Sequence, residues 1–224
     1  MWRHGMPKLE KNKFAFFIDG SNLHSSAKAL GVVIDFKKLL KLFNNDGELL
    51  RAYYYTAISE NQDHSSIRSL VDWLAYNGYT LKTKPTKEFI DTDGRKKLKG
   101  DMDIELAIDA LEIAPHIDHA IIFSGDGDFR YLVEVIQRKG VRVTVVSTLK
   151  SVPAMIADEL RRQADDFVEL EDILDNISLN VENTNTQNFS DEIINNNITN
   201  STSPPSKASF SKKSQLPDNG EDAK

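Results

Sequence analysis

The chain of 224 residues contains no cysteine. That removes disulfides, thiolate catalysis and structural zinc of the usual thiolate kind. It also lacks an excess of positive charge. Against 34 Asp and Glu stand 28 Lys and Arg, a net charge of −6, which argues against coating nucleic acid through bulk charge but leaves room for a local basic patch. No apolar run approaches the length of a membrane span. Residues 1–13 are polar and basic, without the apolar centre of a secretory signal. The expectation is therefore a cytoplasmic protein with no membrane partner. His4, His24, His64, His116 and His119 show neither metal-ligand spacing nor a nucleophile's partner pattern, and read as structural or exposed. There is no internal repeat. The turn after the first apolar run, Asp19-Gly20-Ser21-Asn22, is not the glycine-rich turn of a dinucleotide-binding unit.

What is present is an ordinary globular composition, 40% hydrophobic and 28% charged, followed by a change of character. Phe14-Ala15-Phe16-Phe17-Ile18 is the continuous apolar run of a strand buried on both faces. A short helix follows the Asp19 turn and reaches Leu30. Asp35 is placed to cap a helix over Phe36–Phe43, stopped by Asn44-Asn45-Asp46-Gly47. Further strands are read at 49–58, 79–83, 120–123, 141–147 and 167–170. Helices are read at 65–77, 129–139 and 153–164, and another opens at Asp101, its apolar face Ile104, Ala107, Ile108 and Leu111, ending before Pro115. Asp93-Gly94 signals a hairpin turn. Trp73, Tyr53, Tyr54 and Tyr55 read as core. Alternating strands and helices specify an α/β three-layer sandwich around a mostly parallel sheet. From about Asn176 asparagine, serine and threonine replace the apolar periodicity, so residues 173–224 read as a low-complexity disordered tail, 14–172 as the domain and 1–13 as a flexible N-terminus.

The chemistry gathers at Ile121-Ile122-Phe123-Ser124-Gly125-Asp126-Gly127-Asp128-Phe129, where a buried strand gives way to a helix. In an open α/β sheet, ligands bind outside the carboxyl ends of the strands. Asp19 ends the first strand, and the first and fourth strands are neighbours at the point where the winding reverses. Asp103 lies at the start of the preceding helix. Clustered carboxylates repel unless a cation neutralises them, and oxygen-only ligands favour Mg²⁺ or Mn²⁺ over zinc. Each residue also has a plainer reading. Asp19 can satisfy backbone donors of its turn, Asp126 or Asp128 can cap a helix, and Asp101 suits a cap better than a ligand. Asp109, in mid-helix, reads as solvated or partner-bound. Asn22 either orients a ligand or caps the first helix. Ser124 contacts a phosphate or a neighbouring backbone group. Gly125 and Gly127 would let a substrate backbone approach. The lysines from Lys82 to Lys99 form either a solvated hairpin or a phosphate-backbone contact, for which Lys84, Lys87, Lys96, Lys97 and Lys99 are the candidates.

Phe17-Ile18-Asp19-Gly20-Ser21-Asn22-Leu23, Lys99-Gly100-Asp101-Met102-Asp103-Ile104-Glu105-Leu106-Ala107-Ile108-Asp109 and Phe123-Ser124-Gly125-Asp126-Gly127-Asp128-Phe129 resemble, in order, the motifs of the NYN domain. The likeness is to its LabA-like bacterial branch within the PIN-like nuclease superfamily. Lys139-Gly140-Val141-Arg142-Val143 and Leu160-Arg161-Arg162-Gln163-Ala164-Asp165 fit as well, so the resemblance spans roughly residues 14–172. It implies a PIN-like, Rossmann-like fold whose acidic cluster binds Mg²⁺ or Mn²⁺ and hydrolyses RNA, single-stranded in the first instance, to a 5′-phosphate and a 3′-hydroxyl. By position, Asp19, Asp103, Asp126 and Asp128 are the implied catalytic and metal-binding residues, with Asn22 in support. No separate RNA-binding module follows, and a homodimer is left open. The alternative is a non-catalytic RNA-binding or regulatory module on the same fold. A phosphatase of the haloacid dehalogenase type is set aside, since Ser21 stands where that chemistry needs a second aspartate.

Overall fold

The computed structural model describes residues 12–43, 47–58, 66–90, 96–99 and 101–179, with the backbone alone at 66, 87–90 and 96–99. In chain order the elements are β1 (Lys13–Asp19), α1 (Gly20–Ala29), α2 (Phe36–Phe43), β2 (Glu48–Ile58), α3 (Ser66–Tyr76), β3 (Thr80–Pro85), β4 (Lys87–Ile90) and β5 (Lys96–Lys99). They continue with α4 (Asp103–Ile113), β6 (His119–Phe123), α5 (Arg130–Arg138), β7 (Arg142–Ser147), α6 (Asp158–Gln163), β8 (Asp166–Glu169) and α7 (Leu170–Ile177).

Six strands form one sheet in the order β3-β2-β1-β6-β7-β8, every pair parallel. The chain winds outward from β1 to one edge, crosses back through α4, and winds from β6 to the other edge. The reversal falls between β1 and β6, whose register pairs Phe17 with Ile122 and Ile18 with Phe123. Alternation along β1 feeds two cores, because successive side chains of a strand point to opposite faces. Phe14, Phe16 and Ile18 join Leu23 and Ala27 of α1, Leu39 of α2, Leu74 of α3 and Leu170 and Ile177 of α7. Ala15 and Phe17 join Leu106 and Ala110 of α4, Leu132, Val133 and Ile136 of α5 and Leu160 of α6. The result is three layers, as the alternating pattern implied. Phe16 and Phe17 are fully enclosed, and each contributes about 1.5–3 kcal/mol by leaving water.

Several boundaries differ from the sequence reading. Asp35 does cap α2, its Oδ1 accepting from the backbone N–H of Lys37 and Lys38 at 3.0 Å. Asp101 does not cap α4: the cap position is Met102, which makes no side-chain cap bond. The fully buried face of α4 is Leu106 and Ala110; of the stripe chosen from the sequence, Ala107 and Leu111 pack partly buried against the core, while Ile104 and Ile108 are 69% and 58% exposed. Trp73, expected in the core, is 39% exposed. The helix read at 153–164 is confined to α6. Residues before it are drawn into loop bonds, Met155 N–H to the Thr148 carbonyl and Ala157 N–H to the Gly125 carbonyl. Residues 173–177, assigned to the tail by composition, complete α7, whose Ile177 is fully buried. The Asp93-Gly94 turn, the Asn44-Asn45-Asp46 stop, residues 1–11 and the tail from 180 onward lie outside the described residues. Among the described residues no helix is long and apolar enough to cross a membrane.

Candidate metal centre at the sheet switch point

The first strand leaves the sheet at Asp19, which sits beside Tyr55 in the β1–β2 register. Its backbone is still extended, and its side chain closes the turn into α1. One carboxylate oxygen accepts from Ser21 N–H at 3.1 Å, Ser21 Oγ–H at 2.8 Å and Asn22 N–H at 3.2 Å. The other accepts from Ser124 Oγ–H at 3.1 Å. Ser124 is completely buried, and its oxygen also accepts from Asp126 N–H at 3.2 Å. Asn22 does not cap α1; its Oδ1 accepts from Gly125 N–H at 3.0 Å. The ends of β1 and β6 are thus stitched together by Asp19, Asn22 and Ser124, and Ser124 contacts protein groups rather than facing a phosphate.

Beyond β6 the chain makes a single turn of 3₁₀ helix at Gly127–Phe129. Asp126 caps it by accepting from Asp128 N–H at 3.0 Å. The glycines of this turn do not open a path for substrate. A Cβ on Gly125 would run into the backbone carbonyl of Met155, and one on Gly127 would come within 2.6 Å of Glu159 Oε1 and 3.2 Å of Ala157 Cβ. Their lack of a side chain admits the loop before α6.

The carboxylates of Asp103, Asp126 and Asp128 converge, each offering an oxygen within 4.8 Å of the other two. Asp103 and Asp126 are half-buried and Asp128 is exposed. Asp19 lies outside this trio, its carboxylate bonded to Ser21, Asn22 and Ser124, but its charge reaches the same place. The Asp103 carboxyl is pushed up to about 6, first by burial and then by the charges of Asp19, Asp126, Asp101 and Asp128. All five influences disfavour its ionised form. A trio of oxygen donors in surplus negative charge is suited to a hard divalent cation.

The basic candidates divide. Lys84 is held by Glu105 of α4, its Nζ 3.1 Å from both carboxylate oxygens. Lys82 is held by Asp109 at 3.1 Å, and Asp109 also accepts from the Tyr55 hydroxyl at 3.1 Å. The sequence left Asp109 without a named partner. Its two partners lie 54 and 27 residues away, too far for any local pattern to indicate. Lys87, Lys96, Lys97 and Lys99 lie on the antiparallel hairpin of β4 and β5, where the register sets Lys87 opposite Lys99 and Phe89 opposite Lys97. The hairpin leads directly into Asp103. A separate groove of about 770 Å³, lined by Lys13, Arg51, Tyr53, His116 and Asp118 among others, lies toward the amino ends of β1 and β6, at the opposite end of the strands from Asp103, Asp126 and Asp128.

Comparison with known proteins places the chain in a family. Residues 13–171 match the NYN domain family. The chain is 37% identical over 166 residues to the low amplitude and bright protein LabA of Synechococcus elongatus, an alignment covering 72% of this chain and 86% of that protein. Among solved structures, a Vibrio parahaemolyticus protein of unknown function, VPA0982, superposes with a TM-score of 0.64 at 30% identity, covering 78% of this chain and all of that one.

Proposed function

The chain belongs to the NYN domain family, in its LabA-like branch, and on that premise we propose that it is a metal-dependent ribonuclease hydrolysing single-stranded RNA. Membership makes it a nuclease-like or RNA-related domain; the hydrolytic activity and the ion are our reading. The observation that carries it is the convergence of Asp103, Asp126 and Asp128 with no balancing cation among the influences on Asp103.

The donor set is all oxygen and includes no histidine or cysteine, which fits Mg²⁺ or Mn²⁺. When bound, such an ion supplies the charge that ionises water near neutral pH and steadies the oxygen leaving phosphorus. Asp103, Asp126 and Asp128 would hold it. Asp19, Asn22 and Ser124 keep the ends of β1 and β6 in place, so the turn that carries Asp126 and Asp128 holds its position. Asp19 adds negative charge without giving up its own hydrogen bonds. A phosphodiester is an anion and is repelled by this cluster until the charge is neutralised, so the carboxylates favour cation before substrate. Lys87, Lys96, Lys97 and Lys99, on the hairpin that delivers the chain to Asp103, are proposed to attract the RNA backbone. Lys84 is left out, since Glu105 already holds it.

The test compares cleavage of a labelled single-stranded RNA by the natural chain and by Asp126→Asn, each with Mn²⁺, with Mg²⁺ and with chelator, folding being checked by circular dichroism. Metal-dependent cutting that disappears in the folded variant is the expected result. Binding without cutting by the natural chain under every condition would replace the reading with a non-catalytic RNA-binding module.

A further inference from the structure

We infer that Tyr55, Lys82 and Asp109 form a polar clamp between the sheet and α4 that positions Asp103 against its partner carboxylates, and so sets the affinity of the centre for a divalent cation. The inference rests on the metal-centre reading above.

Asp103 is the one member of the trio that arrives on a crossover helix and not on the turn after β6. Its helix begins without a side-chain cap, and its carboxyl meets those of Asp126 and Asp128 within reach of the charges of Asp19 and Asp101. Mutual repulsion therefore pushes the start of α4 away from the strand ends. Leu106 and Ala110 share one apolar core with Phe17, Tyr55 and Phe129, and that burial opposes separation. Such contacts are non-directional, so they resist sliding and rotation poorly. Directional bonds supply what they lack. Asp109, only 13% exposed, takes the Lys82 ammonium on one oxygen and the Tyr55 hydroxyl on the other, both at 3.1 Å. One helical turn nearer the site, Glu105 takes Lys84. Residues four apart lie on one helix face, so the two anchors fix the rotation of α4 about its axis.

The anchors are themselves stiff. Tyr55 is fully buried and stands beside Asp19 in the sheet. Its ring stacks with Tyr53 at 6.1 Å, and Tyr53 stacks on Phe17 at 5.7 Å. Lys82 lies over the Tyr53 ring at 5.8 Å. Burial, and then the Asp109 charge and hydrogen bond, hold the Tyr55 phenol far above its ordinary range, so it remains a donor. Asp103 lies six positions before Asp109, or about 9 Å along the axis at about 1.5 Å per residue. A carboxylate clamped at one end of that lever locates the one at the other.

Two simpler roles make different forecasts. If Lys82 acted only as a nearby positive charge, deleting it would tighten cation binding. If the network served stability alone, its loss would lower the melting temperature and leave cation binding unchanged. The experiment titrates Mn²⁺ into the full chain, following free Mn²⁺ by electron paramagnetic resonance, for the natural protein, Tyr55→Phe, Lys82→Met and Lys82→Arg. Thermal unfolding in chelator confirms that each is folded. Positioning predicts roughly tenfold weaker Mn²⁺ binding in Tyr55→Phe and Lys82→Met, a size typical of groups that orient metal ligands, with most of the affinity restored in Lys82→Arg. Unchanged or tighter binding in the two deletions overturns the clamp and leaves the metal centre standing. No Mn²⁺ binding by the natural chain overturns both. Should Lys82→Met fail to fold, Tyr55→Phe, which removes a single oxygen and no charge, decides alone.

Discussion

Replacing Asp103 with asparagine is expected to stabilise the metal-free fold at pH 8, although the residue stands in the proposed centre. The reasoning starts from the rise of its carboxyl from 3.8 to about 6. At about 1.4 kcal/mol per pKa step, that rise sets a ceiling of about 3 kcal/mol on the cost of ionising it in the folded chain. The group is half-exposed, and solvent and salt screen it, which brings the figure down to about 1 kcal/mol. In a domain of this size that corresponds to roughly 2–4 °C in melting temperature. The pH dependence follows from linkage. The folded carboxyl holds its proton more tightly than the unfolded one, so the native state binds more protons between about pH 4 and pH 6. Natural-chain stability should fall as pH rises through that window and stay lowered above it; asparagine has no such term. The advantage of Asp103→Asn should therefore be complete above pH 6 and vanish below pH 4. Thermal unfolding by circular dichroism in chelator at pH 8 and pH 4 measures it. A variant less stable than the natural chain at pH 8, or equally favoured at both pH values, would refute the account of the cluster as uncompensated charge.

Ser124→Ala should lower stability by about 1–3 kcal/mol, since it strips a donor from Asp19 and leaves the half-buried Asp126 N–H without its partner; the shift in urea midpoint reports it. Gly125→Ala should cost several kcal/mol, on the order of 3 or more, because the new methyl meets a backbone carbonyl that cannot swing aside. Gly127→Ala should be milder, as a flexible Glu159 carboxylate is its nearest obstacle; melting temperatures compare the two.

The sheet was readable because its signal is local. The apolar run of β1 must be buried on both faces, and alternation of strands and helices leaves few ways to wind. The adjacency of β1 and β6, and hence the meeting of Asp19 with the Ser124–Asp128 turn, followed from that winding. What stayed hidden depends on distant partners. Ile104 and Ile108 are more apolar than Ala110, yet the face with Leu106 and Ala110 turns inward and packs in the core below the sheet, carrying Asp103 with it. The spacing of Leu170, Ile173, Leu174 and Ile177 was masked by acidic and asparagine neighbours, so α7 was missed, its first residue read as the end of a strand and its last five as tail. The residues before α6 look helical in isolation, but the vacant face of Gly125 holds them in another conformation. Lys84 looks in the sequence like the lysines of the hairpin that follows, but it lies on β3 and its partner Glu105 is 21 residues away.

The position of β1 has a consequence for how the protein comes into being. It is the first strand to be made, yet it belongs in the middle of the sheet, and Asp19 and Ser124, which bond across β1 and β6, are 105 residues apart. During synthesis β1 can pair with β2, but its other edge has no partner until β6 emerges, and such late-closing contacts are slow to form. Two of the three converging carboxylates arrive only after that edge is filled. A ribosome-bound chain that stops short of β6 therefore lacks two of its three converging carboxylates, and the acidic centre is withheld until most of the domain has been translated.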